Sequence, residues 1–273
     1  MTAPTPTPTA VTDEVVDLLR QLRLPHMRHH APEVLATAKA QRWDPAEAIR
    51  ALLTEELAGR QRSSIGARRK AAGFPTGKTF ATWDDQISSI PAPTQRSLQT
   101  LEWVTNHENL VVCGPSGTGK SHLLEALGHA AVDAGHHVAW FSLESLGALF
   151  RRHRADDTTG RAIRKIMRAE LICIDDIGLL PVATETAEAL YRVVDAAYER
   201  RAIALSSNFH PAGFDELMPK TIANATVDRL LHHAHLVLTG GDSIRLTQAT
   251  AGQGVKPFAS QPCAVLVAIT GQF

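Results

Sequence analysis

The sequence predicts an α/β fold with a parallel sheet, preceded by a small all-helical N-terminal domain. Four short apolar runs of strand length alternate with helical stretches between residues 110 and 207. This alternation is typical of strand–helix–strand units around a parallel sheet. The runs are 110–113, 137–141, 171–175 and 202–207. A glycine-rich loop follows the first run, and helical periodicity without strand patterns covers the chain before residue 73.

The N-terminal helices are predicted from capping signals and apolar periodicity. Thr12 is a suitable N-cap for a first helix that ends at Pro25, and a second helix is expected to begin around Pro32. Asp44 followed by Pro45 is a strong start signal for a third helix. The apolar faces of the first and third helices are Val15, Leu18, Leu19 and Leu22, and Ile49, Leu52, Leu53 and Leu57.

Changes of composition along the chain predict five segments. These are a disordered tail at 1–11, a helical domain at 12–72, a connector at 73–106, an α/β domain at 107–250 and a C-terminal tail at 251–273. Alternating Pro and Thr at the start favour an extended tail. A helix is expected at 184–200, and the run 235–247 is interpreted as a hairpin that turns at Gly240, Gly241 and Asp242.

The composition indicates the cellular compartment of the protein but does not identify a binding partner. Lys plus Arg and Asp plus Glu are equal at 28 each, so the net charge names no ligand. Cys113 and Cys173 lie in strand-like runs and are expected to be buried thiols in a reduced compartment. The start of the chain lacks the apolar core of a signal peptide, and the apolar run 263–269 is too short to span a bilayer. We therefore expect a cytoplasmic protein with no membrane segment.

The loop after the first predicted strand carries a specific nucleotide-binding pattern. Residues 114–121 read GPSGTGKS and fit the motif G-x-x-x-x-G-K-[ST] at every position. Glycines allow several backbone N–H groups to point at one anion, and the following helix adds its positive N-terminus. Lys120 supplies a full charge for the outer phosphates, and the Ser121 hydroxyl can bind Mg²⁺. The motif predicts a site for the phosphates of a nucleotide with Mg²⁺.

Two later strands supply the polar groups that such a site needs. Asp175 and Asp176 follow an apolar run, at the carboxyl end where parallel-sheet ligand sites lie. We expect Asp175 to hold Mg²⁺ together with Ser121, and Asp176 to orient and activate the attacking water. Asn208 follows the next strand and can help to position that water, although it can also be a turn residue before Pro211.

Together these motifs resemble the AAA+ ATPases, and within them the IstB branch of insertion-sequence helper ATPases, which is similar to the DnaC-type helicase loaders. The resemblance covers about residues 15–247. It is carried by GPSGTGKSHLLEALG, LICIDDIGLLP, SSNF and ATVDRLLHHAHLVLTGGDSIRL, and by LRLPHM and RRKAAGFPTGKTFATWD nearer the N-terminus. It implies an AAA+ P-loop core at 107–250 that hydrolyses ATP.

Site residues follow from the resemblance position by position. Asp175 and Asp176 match the Walker B acids, and Asn208 matches sensor 1. Arg229 matches the arginine finger, which reaches the nucleotide of the next subunit, and Arg245 is a weaker match to a sensor-2 arginine. The cofactor-binding positions are those of the Walker A loop and its first helical residues: Gly114, Pro115, Ser116, Gly117, Thr118, Gly119, Lys120, Ser121 and His122.

The resemblance also implies partners. An arginine finger acts across an interface, and the family forms ATP-dependent homo-oligomers, rings or helical assemblies, that wrap or bend duplex DNA and engage a transposase. Two basic stretches fit a DNA contact, although each can equally be a solvated helix face. The first comprises Arg60, Arg62, Arg68, Arg69, Lys70 and Lys78, and the second Arg151, Arg152, Arg154, Arg161, Arg164, Lys165 and Arg168.

Two alternative functions stay open. The second Walker B acid is often Glu in the family, so Asp176 leaves a nucleotide-gated switch with little hydrolysis as an alternative. A helicase loader that binds single strands and a replicative helicase is a second alternative. His232, His233 and His235 lie close in sequence, but no Cys or carboxylate near them completes a metal-binding set. The C-terminal residues 258–273 match nothing in the family pattern.

Overall fold

The structure is a computed structural model that describes residues 11–156, 158–178 and 182–250. The contacts divide the chain into two compact units, one ending at Ala71 and the other beginning at Ala72. The predicted tails at 1–11 and 251–273 lie outside the described residues, apart from Val11. None of the described helices is long and apolar enough to cross a membrane.

The N-terminal unit consists of α1 (Asp13–Gln21), α2 (Pro25–Gln41) and the long α3, which begins at Pro45 and runs to Ala72. Asp44 caps α3 as expected, since its carboxylate accepts the backbone N–H of Ala46 at 2.8 Å. The second helix begins at Pro25 rather than around Pro32, which lies inside it. Proline is well tolerated in a first helical turn, so Pro25 both separates α1 from α2 and starts α2.

The apolar faces expected in the N-terminal unit are only partly buried. Leu19 and Leu52 are buried, whereas the other predicted positions on α1 and α3 are exposed. The exposed set is Val15, Leu18, Leu22, Ile49, Leu53 and Leu57. Glu56 is buried on α3 and accepts hydrogen bonds from the backbone of Met27 and from Arg60. The unit is therefore held together by a buried carboxylate as well as by apolar packing.

The C-terminal unit has an α/β fold and includes the segment 73–106 that was predicted as a connector. It contains strands β1 (Asn109–Cys113), β2 (Val138–Ser142), β3 (Leu171–Ile177), β4 (Ala202–Ser207) and β5 (Ala234–Leu238). Its helices are α4 (Ala92–Gln99), α5 (Glu102–Thr105), α6 (Lys120–Asp133), α7 (Leu143–Ala155), α8 (Thr159–Ile166), α9 (Thr184–Ala197), α10 (Lys220–Leu231) and α11 (Ile244–Thr250). A short 3₁₀ turn covers Phe80–Thr82, and another covers Pro211–Glu216.

The strands form one parallel sheet in the order β2-β3-β4-β1-β5. Strands β1 and β4 are buried at every position, which explains why they read as continuous apolar runs rather than alternating ones. All strands point the same way, so their carboxyl ends share one edge. The loop after β1 and the polar residues of β3 and β4 therefore meet there. The predicted fold class is confirmed.

The predicted hairpin at 235–247 is wrong. Strand β5 pairs in parallel with β1, Val237 lying opposite Val112, and the chain then turns into α11. The glycine-containing turn returns the backbone towards the loop after β1, where the Ile244 N–H donates to the Gly117 carbonyl at 3.0 Å. Turn residues predict a reversal, but they do not determine whether a strand or a helix follows it.

Candidate nucleotide-binding site

The loop between β1 and α6 adopts a conformation that only glycine allows at its key positions. Gly114, Gly117 and Gly119 have φ values of +150°, +87° and +91°. A Cβ on Gly114 would lie 2.2 Å from the carbonyl oxygen of Thr239, and one on Gly117 would lie 2.1 Å from Oγ of Ser243. The glycines therefore permit both the backbone curl that collects N–H groups and close packing against the segment after β5.

Lys120, the first residue of α6, places its ammonium group at the carboxyl edge of the sheet. Its Nζ donates to the carbonyls of Gly114 and Pro115 at 2.6 and 2.7 Å, and to Oδ1 of Asn208 at 2.9 Å. Burial lowers the pKa of Lys120, while the nearby carboxylates of Asp176 and Asp175 oppose that shift. The side chain thus joins the loop to the end of β4 through a single cation.

Ser121 and Asp175 form an oxygen-rich pair that fits Mg²⁺. The Ser121 hydroxyl donates to Oδ1 of Asp175 at 3.0 Å, and the buried Asp175 also accepts from the hydroxyl of Ser206. Magnesium binds oxygen ligands at about 2.1 Å in octahedral geometry, which separates neighbouring ligands by about 3.0 Å. These two side chains therefore have the chemistry and the spacing of adjacent magnesium ligands.

A bulge in β3 brings two consecutive acids to the site. Between Ile174 and Ile177 the register with β4 shifts, so β3 contains one more residue than its partner over this stretch. Asp176 lies in the bulge with φ +65°, and its N–H donates to Oγ of Ser206 at 3.1 Å. Neighbouring side chains of a regular strand point to opposite faces. The bulge interrupts that alternation. Asp176 therefore lines the cavity although the preceding residue, Asp175, is bonded to Ser121 at the same edge.

The charges around Asp176 act on its proton affinity in opposite directions. Desolvation and the negative charge of Asp175 raise the pKa of Asp176, whereas Arg245 and Lys120 lower it. Asn208 lies across the same cavity, held by a backbone hydrogen bond of 2.9 Å to the carbonyl of Ile177. A carboxylate and an amide therefore face the same space near the Lys120 ammonium.

The cavity in front of the loop has a volume of about 520 Å³. Its loop side contains Ser116, Gly117, Gly119, Lys120, Ser121 and His122, together with Asp176 and Asn208. Gly114, Pro115 and Thr118 do not line it; Thr118 is buried, with its hydroxyl 2.7 Å from Oγ1 of Thr239. These three predicted cofactor-binding residues contribute to the conformation of the loop and do not face the cavity.

The opposite wall of the cavity comes from the predicted connector, residues 73–106. Thr76, Trp83 and Ile87 line it, and Ile244 of α11 closes the far side. The Trp83 ring lies 3.4 Å from where a Cβ on Gly119 would be, and its Nε1 donates to Gln95 at 2.7 Å. An aromatic face and aliphatic side chains beside a phosphate-type loop are suited to a nucleotide base. The only sign of this wall in the sequence is Trp83, a tryptophan in a stretch without helical or strand periodicity.

Helix α6 holds this connector wall in place. The buried Glu125 accepts hydrogen bonds from the backbone N–H groups of Thr76 and Gly77 and from the Thr76 hydroxyl. Burial raises the pKa of Glu125, but these hydrogen bonds outweigh burial and the net shift is downwards. One turn earlier, Nε2 of His122 lies 3.2 Å from the Thr79 carbonyl and from the Thr82 hydroxyl. The helix that follows the loop therefore also anchors the opposite wall.

Comparison with known proteins assigns the chain to a family. A family model described as IstB-like ATP binding protein matches residues 17–252. The chain belongs to this family. A relative from Pseudomonas aeruginosa named Insertion sequence IS21 putative ATP-binding protein is 32% identical over 237 residues, which cover 86% of this chain and 89% of the relative. An IS21-like putative ATP-binding protein from Bacteroides fragilis is 30% identical over 235 residues, covering 85% and 89%.

Solved structures support the AAA+ P-loop fold. A replication initiator DnaA bound to AMPPCP and single-stranded DNA matches with a TM-score of 0.51 and 22% identity, over 62% of this chain and 52% of that chain. DnaA from Aquifex aeolicus bound to AMPPCP matches with a TM-score of 0.51 and 20% identity, over 66% and 56%. The matches span about half of each DnaA chain. The resemblance inferred from the motifs is confirmed.

The two arginines singled out by the family pattern lie in different places. Arg245 of α11 lines the cavity and acts electrostatically on both Asp176 and Lys120. Arg229, near the end of α10, is not part of the cavity lining and instead pairs with Asp195 of α9. This placement fits a residue that serves another subunit rather than its own pocket.

The histidines after α10 do acquire a carboxylate neighbour. The ligand atoms of Glu199, His232 and His233 lie within 4.8 Å of one another at an exposed position. Glu199 is more than thirty residues earlier in the chain, so its approach to these histidines is not visible in the sequence around them. The Nε2 of His233 lies 3.8 Å from Glu199, and His232 is 3.0 Å from the Tyr198 hydroxyl, so the group is an ion-pair and hydrogen-bond cluster.

We expect Trp83→Leu to weaken ATP binding about tenfold, as removal of one base–aromatic stacking interaction predicts. Inorganic triphosphate, which has no base, should bind equally well to the variant and the wild type. Competition of both ligands against a fluorescent ATP analogue measures the two affinities. Trp43→Leu on the N-terminal unit is the matched control. An equal loss of affinity for ATP and triphosphate would show that Trp83 shapes the loop instead of contacting the base.

Proposed function

We propose that this protein binds and hydrolyses ATP with Mg²⁺, and that it assembles on duplex DNA to assist a transposase. The observation that carries the proposal is the set of groups meeting at one edge of the sheet. A lysine, a serine hydroxyl, a carboxylate and an amide line one cavity of nucleotide size, and the hydroxyl is bonded to a second, buried carboxylate. ATP is the nucleotide named in the family description, and the relatives are named as insertion-sequence proteins.

Each residue has a distinct task in the proposed reaction. The loop N–H groups and Lys120 bind the phosphates, and Ser121 and Asp175 would hold Mg²⁺, which neutralises phosphate charge. Asp176 and Asn208 orient a water molecule on the open side of the γ-phosphate. That water attacks phosphorus, the bond to the bridging oxygen breaks, and ADP leaves with the electron pair. The proton of the water passes towards Asp176, and Arg229 of a neighbouring subunit stabilises the charge on the transferring group.

The basic side chains of α8 support a DNA-binding role. Ala162 and Ile166 are buried, so the helix packs through its apolar face and its basic face is exposed. Arg200 from the end of α9 joins that face, and together they line a groove of about 770 Å³. Its cationic members are Arg161, Arg164, Lys165, Arg168 and Arg200. A groove with several cations, and with no carboxylate among the described residues that line it, is suited to a phosphate backbone.

The first basic stretch is a weaker candidate because its members are used differently. Arg60 pairs with Glu56 and also donates to the Arg23 carbonyl, which is a structural task within the N-terminal unit. Lys78 lines the nucleotide cavity. The charge run in the sequence therefore does not form one uniform surface, and the proposal places the main DNA contact on α8.

Reversing three charges, two on α8 and one at Arg168 just after it, should weaken duplex binding. We expect the triple change Arg164→Glu, Lys165→Glu and Arg168→Glu to lower the affinity for duplex DNA. The slope of log affinity against log salt concentration should become shallower by about 0.9 for each phosphate that is no longer neutralised. Lys39, Arg42 and Arg50 on the N-terminal unit, reversed in the same way, provide a control with equal net charge. Binding isotherms over a salt titration measure the slope. An unchanged slope in the α8 variant would remove this helix from the interface.

The function itself is tested by nucleotide-dependent DNA binding. We expect cooperative binding to a long duplex of arbitrary sequence with ATP or a non-hydrolysable analogue, and little binding without nucleotide. A single strand of equal length is the comparison. Preference for the single strand would replace the proposal with helicase loading. Binding to neither, despite ATP turnover, would leave a nucleotide-driven switch whose partner is not DNA.

A further inference from the structure

Arg229 makes three contacts with its own chain. Its Nε lies 2.9 Å from Oδ1 of Asp195, and its Nη1 donates to the Ala225 carbonyl at 3.2 Å. The guanidinium carbon lies 5.5 Å from the centroid of the Tyr191 ring. The side chain of Arg229 remains 32% exposed, and that of Asp195 is 51% exposed. The guanidinium group is therefore held by its neighbours while part of the side chain stays exposed to solvent.

Asp195 and Tyr191 are four residues apart on α9, so they project from the same face of that helix. Other faces of α9 are anchored in the core of the C-terminal unit, where Leu190, Val193 and Val194 are buried. The contacts between α9 and α10 are extensive, and Arg229 lies on α10 near its end. Helix α9 thus presents a carboxylate and an aromatic ring to the Arg229 side chain.

We propose that Asp195, with Tyr191 beneath it, is a positioning residue for the arginine finger Arg229. This inference rests on the function proposed above. Asp195 holds Nε and the ring supports the guanidinium plane, so the ion pair leaves the Nη end of the group for a second partner. The N–H groups at that end can engage two oxygens of a phosphate bound in the neighbouring subunit. Asp195 touches no substrate and acts through Arg229.

The exposure of the Asp195–Arg229 ion pair determines whether Asp195 helps or hinders the arginine finger. A half-exposed ion pair is screened by water and holds its partner weakly. It cannot compete with a nucleotide triphosphate carrying several charges, so Asp195 does not withhold the finger. A long arginine side chain loses much rotamer freedom when it is fixed, and contacts made beforehand reduce that loss at the moment of binding. Asp195 therefore prepares the finger for the phosphate.

Mixed assemblies test this inference directly. The acceptor chain carries Arg229→Ala, so its own pocket is intact but it offers no finger. The donor chain carries Asp176→Asn, so it binds ATP without turnover and still offers Arg229. Mixing the two should restore ATP turnover that neither shows alone. Adding Asp195→Asn to the donor should lower the restored kcat by about threefold to fivefold, the most that a half-exposed ion pair can contribute. The KM for ATP should not change, since the acceptor pocket is untouched.

Matched donor variants separate contact from charge. Asp195→Glu keeps a carboxylate within reach and should retain most of the restored turnover. Asp228→Asn removes the same charge from the exposed residue that precedes Arg229, and it should have little effect because the ion pair of Arg229 is with Asp195. Tyr191→Phe keeps the ring and should behave as wild type, whereas Tyr191→Leu should lower turnover. Thermal melting of each donor confirms that the fold is intact.

The outcomes distinguish the two proposals. If the parent donor and acceptor restore no turnover, Arg229 is not a finger and the proposed mechanism fails together with this inference. If they restore turnover and the Asp195→Asn donor is equally effective, the mechanism stands and the positioning role is wrong. A higher turnover with Asp195→Asn would also overturn it, because Asp195 would then restrain the finger.

Discussion

Replacing Lys120 with alanine is expected to lower the affinity for ATP by about a hundredfold or more. The ammonium lies at the carboxyl edge of the sheet, within 3 Å of two loop carbonyls and of Asn208. Phosphate oxygens are stronger acceptors than carbonyls, and hydrogen bonds between charged groups are worth about 1.5–3 kcal/mol each. Removing two such hydrogen bonds to the phosphates accounts for a change of this size. Equilibrium binding of a fluorescent ATP analogue measures it.

A second lysine provides the matched control for this prediction. Lys78 lines the same cavity from the connector wall but is not part of the loop. Lys78→Ala removes an equal charge and should change affinity by only a few-fold, as expected for a more exposed cation. If both variants bind ATP equally well, the phosphates do not lie at the loop and the orientation of the nucleotide in the cavity is wrong.

Asp176→Asn is expected to leave ATP binding intact while lowering turnover by about 10²–10⁴-fold, the usual contribution of a general base. The amide has the same shape and retains the backbone hydrogen bond to Ser206, so the bulge in β3 should persist. Without hydrolysis, assemblies formed with ATP should remain locked. Phosphate release measures turnover, and light scattering or sedimentation measures persistence of the assembly.

The control for Asp176 is another aspartate in the cavity lining. Asp84 lines the connector wall, and its carboxylate accepts the backbone N–H of Gln86 at 3.0 Å. Asp84→Asn should therefore change turnover little. Turnover in Asp176→Asn equal to that of the wild type would show that a different residue activates the water.

The pH profile provides an independent check on Asp176. Desolvation and Asp175 raise the pKa of Asp176, so it takes up its proton at a higher pH than an ordinary aspartate. The ionised form is the base, which means that turnover should be full above this pKa and fall as the pH decreases through it. Because Lys120 and Arg245 oppose the shift, removing the charge of Arg245 should move the acidic limb of the profile to higher pH.

The parts of the fold that were predictable are those with local signals. The loop at 114–121 is recognisable because its glycines, lysine and serine have fixed spacing, and β4 was predicted at 202–207 as found, because a buried parallel strand is a continuous apolar run. The family and the fold class are confirmed, whereas the chemical roles assigned to Asp176, Asn208 and Arg229 stay predictions.

The parts that were missed depend on contacts between distant residues. Glu125 holds Thr76 and Gly77 from almost fifty positions away, and nothing periodic in 73–90 indicates that this segment forms a wall. The hairpin failed for a similar reason, since the turn after β5 is stabilised by the loop at Gly117 rather than by a neighbouring strand. Apolar periodicity in α1 identified a face but could not show that Leu22 is exposed.

The left-handed backbone at Asp176 has a consequence for which acid can occupy that position. A residue with φ +65° places its Cβ against its own carbonyl, and Asp and Asn tolerate this better than longer or branched residues because their short side chains bond locally. The bulge that turns this carboxylate into the cavity therefore selects for the shorter acid. A glutamate would extend the reach of the carboxylate by one methylene while opposing the torsion that aims it. The choice of aspartate in this chain is then as much a matter of backbone torsion as of chemistry.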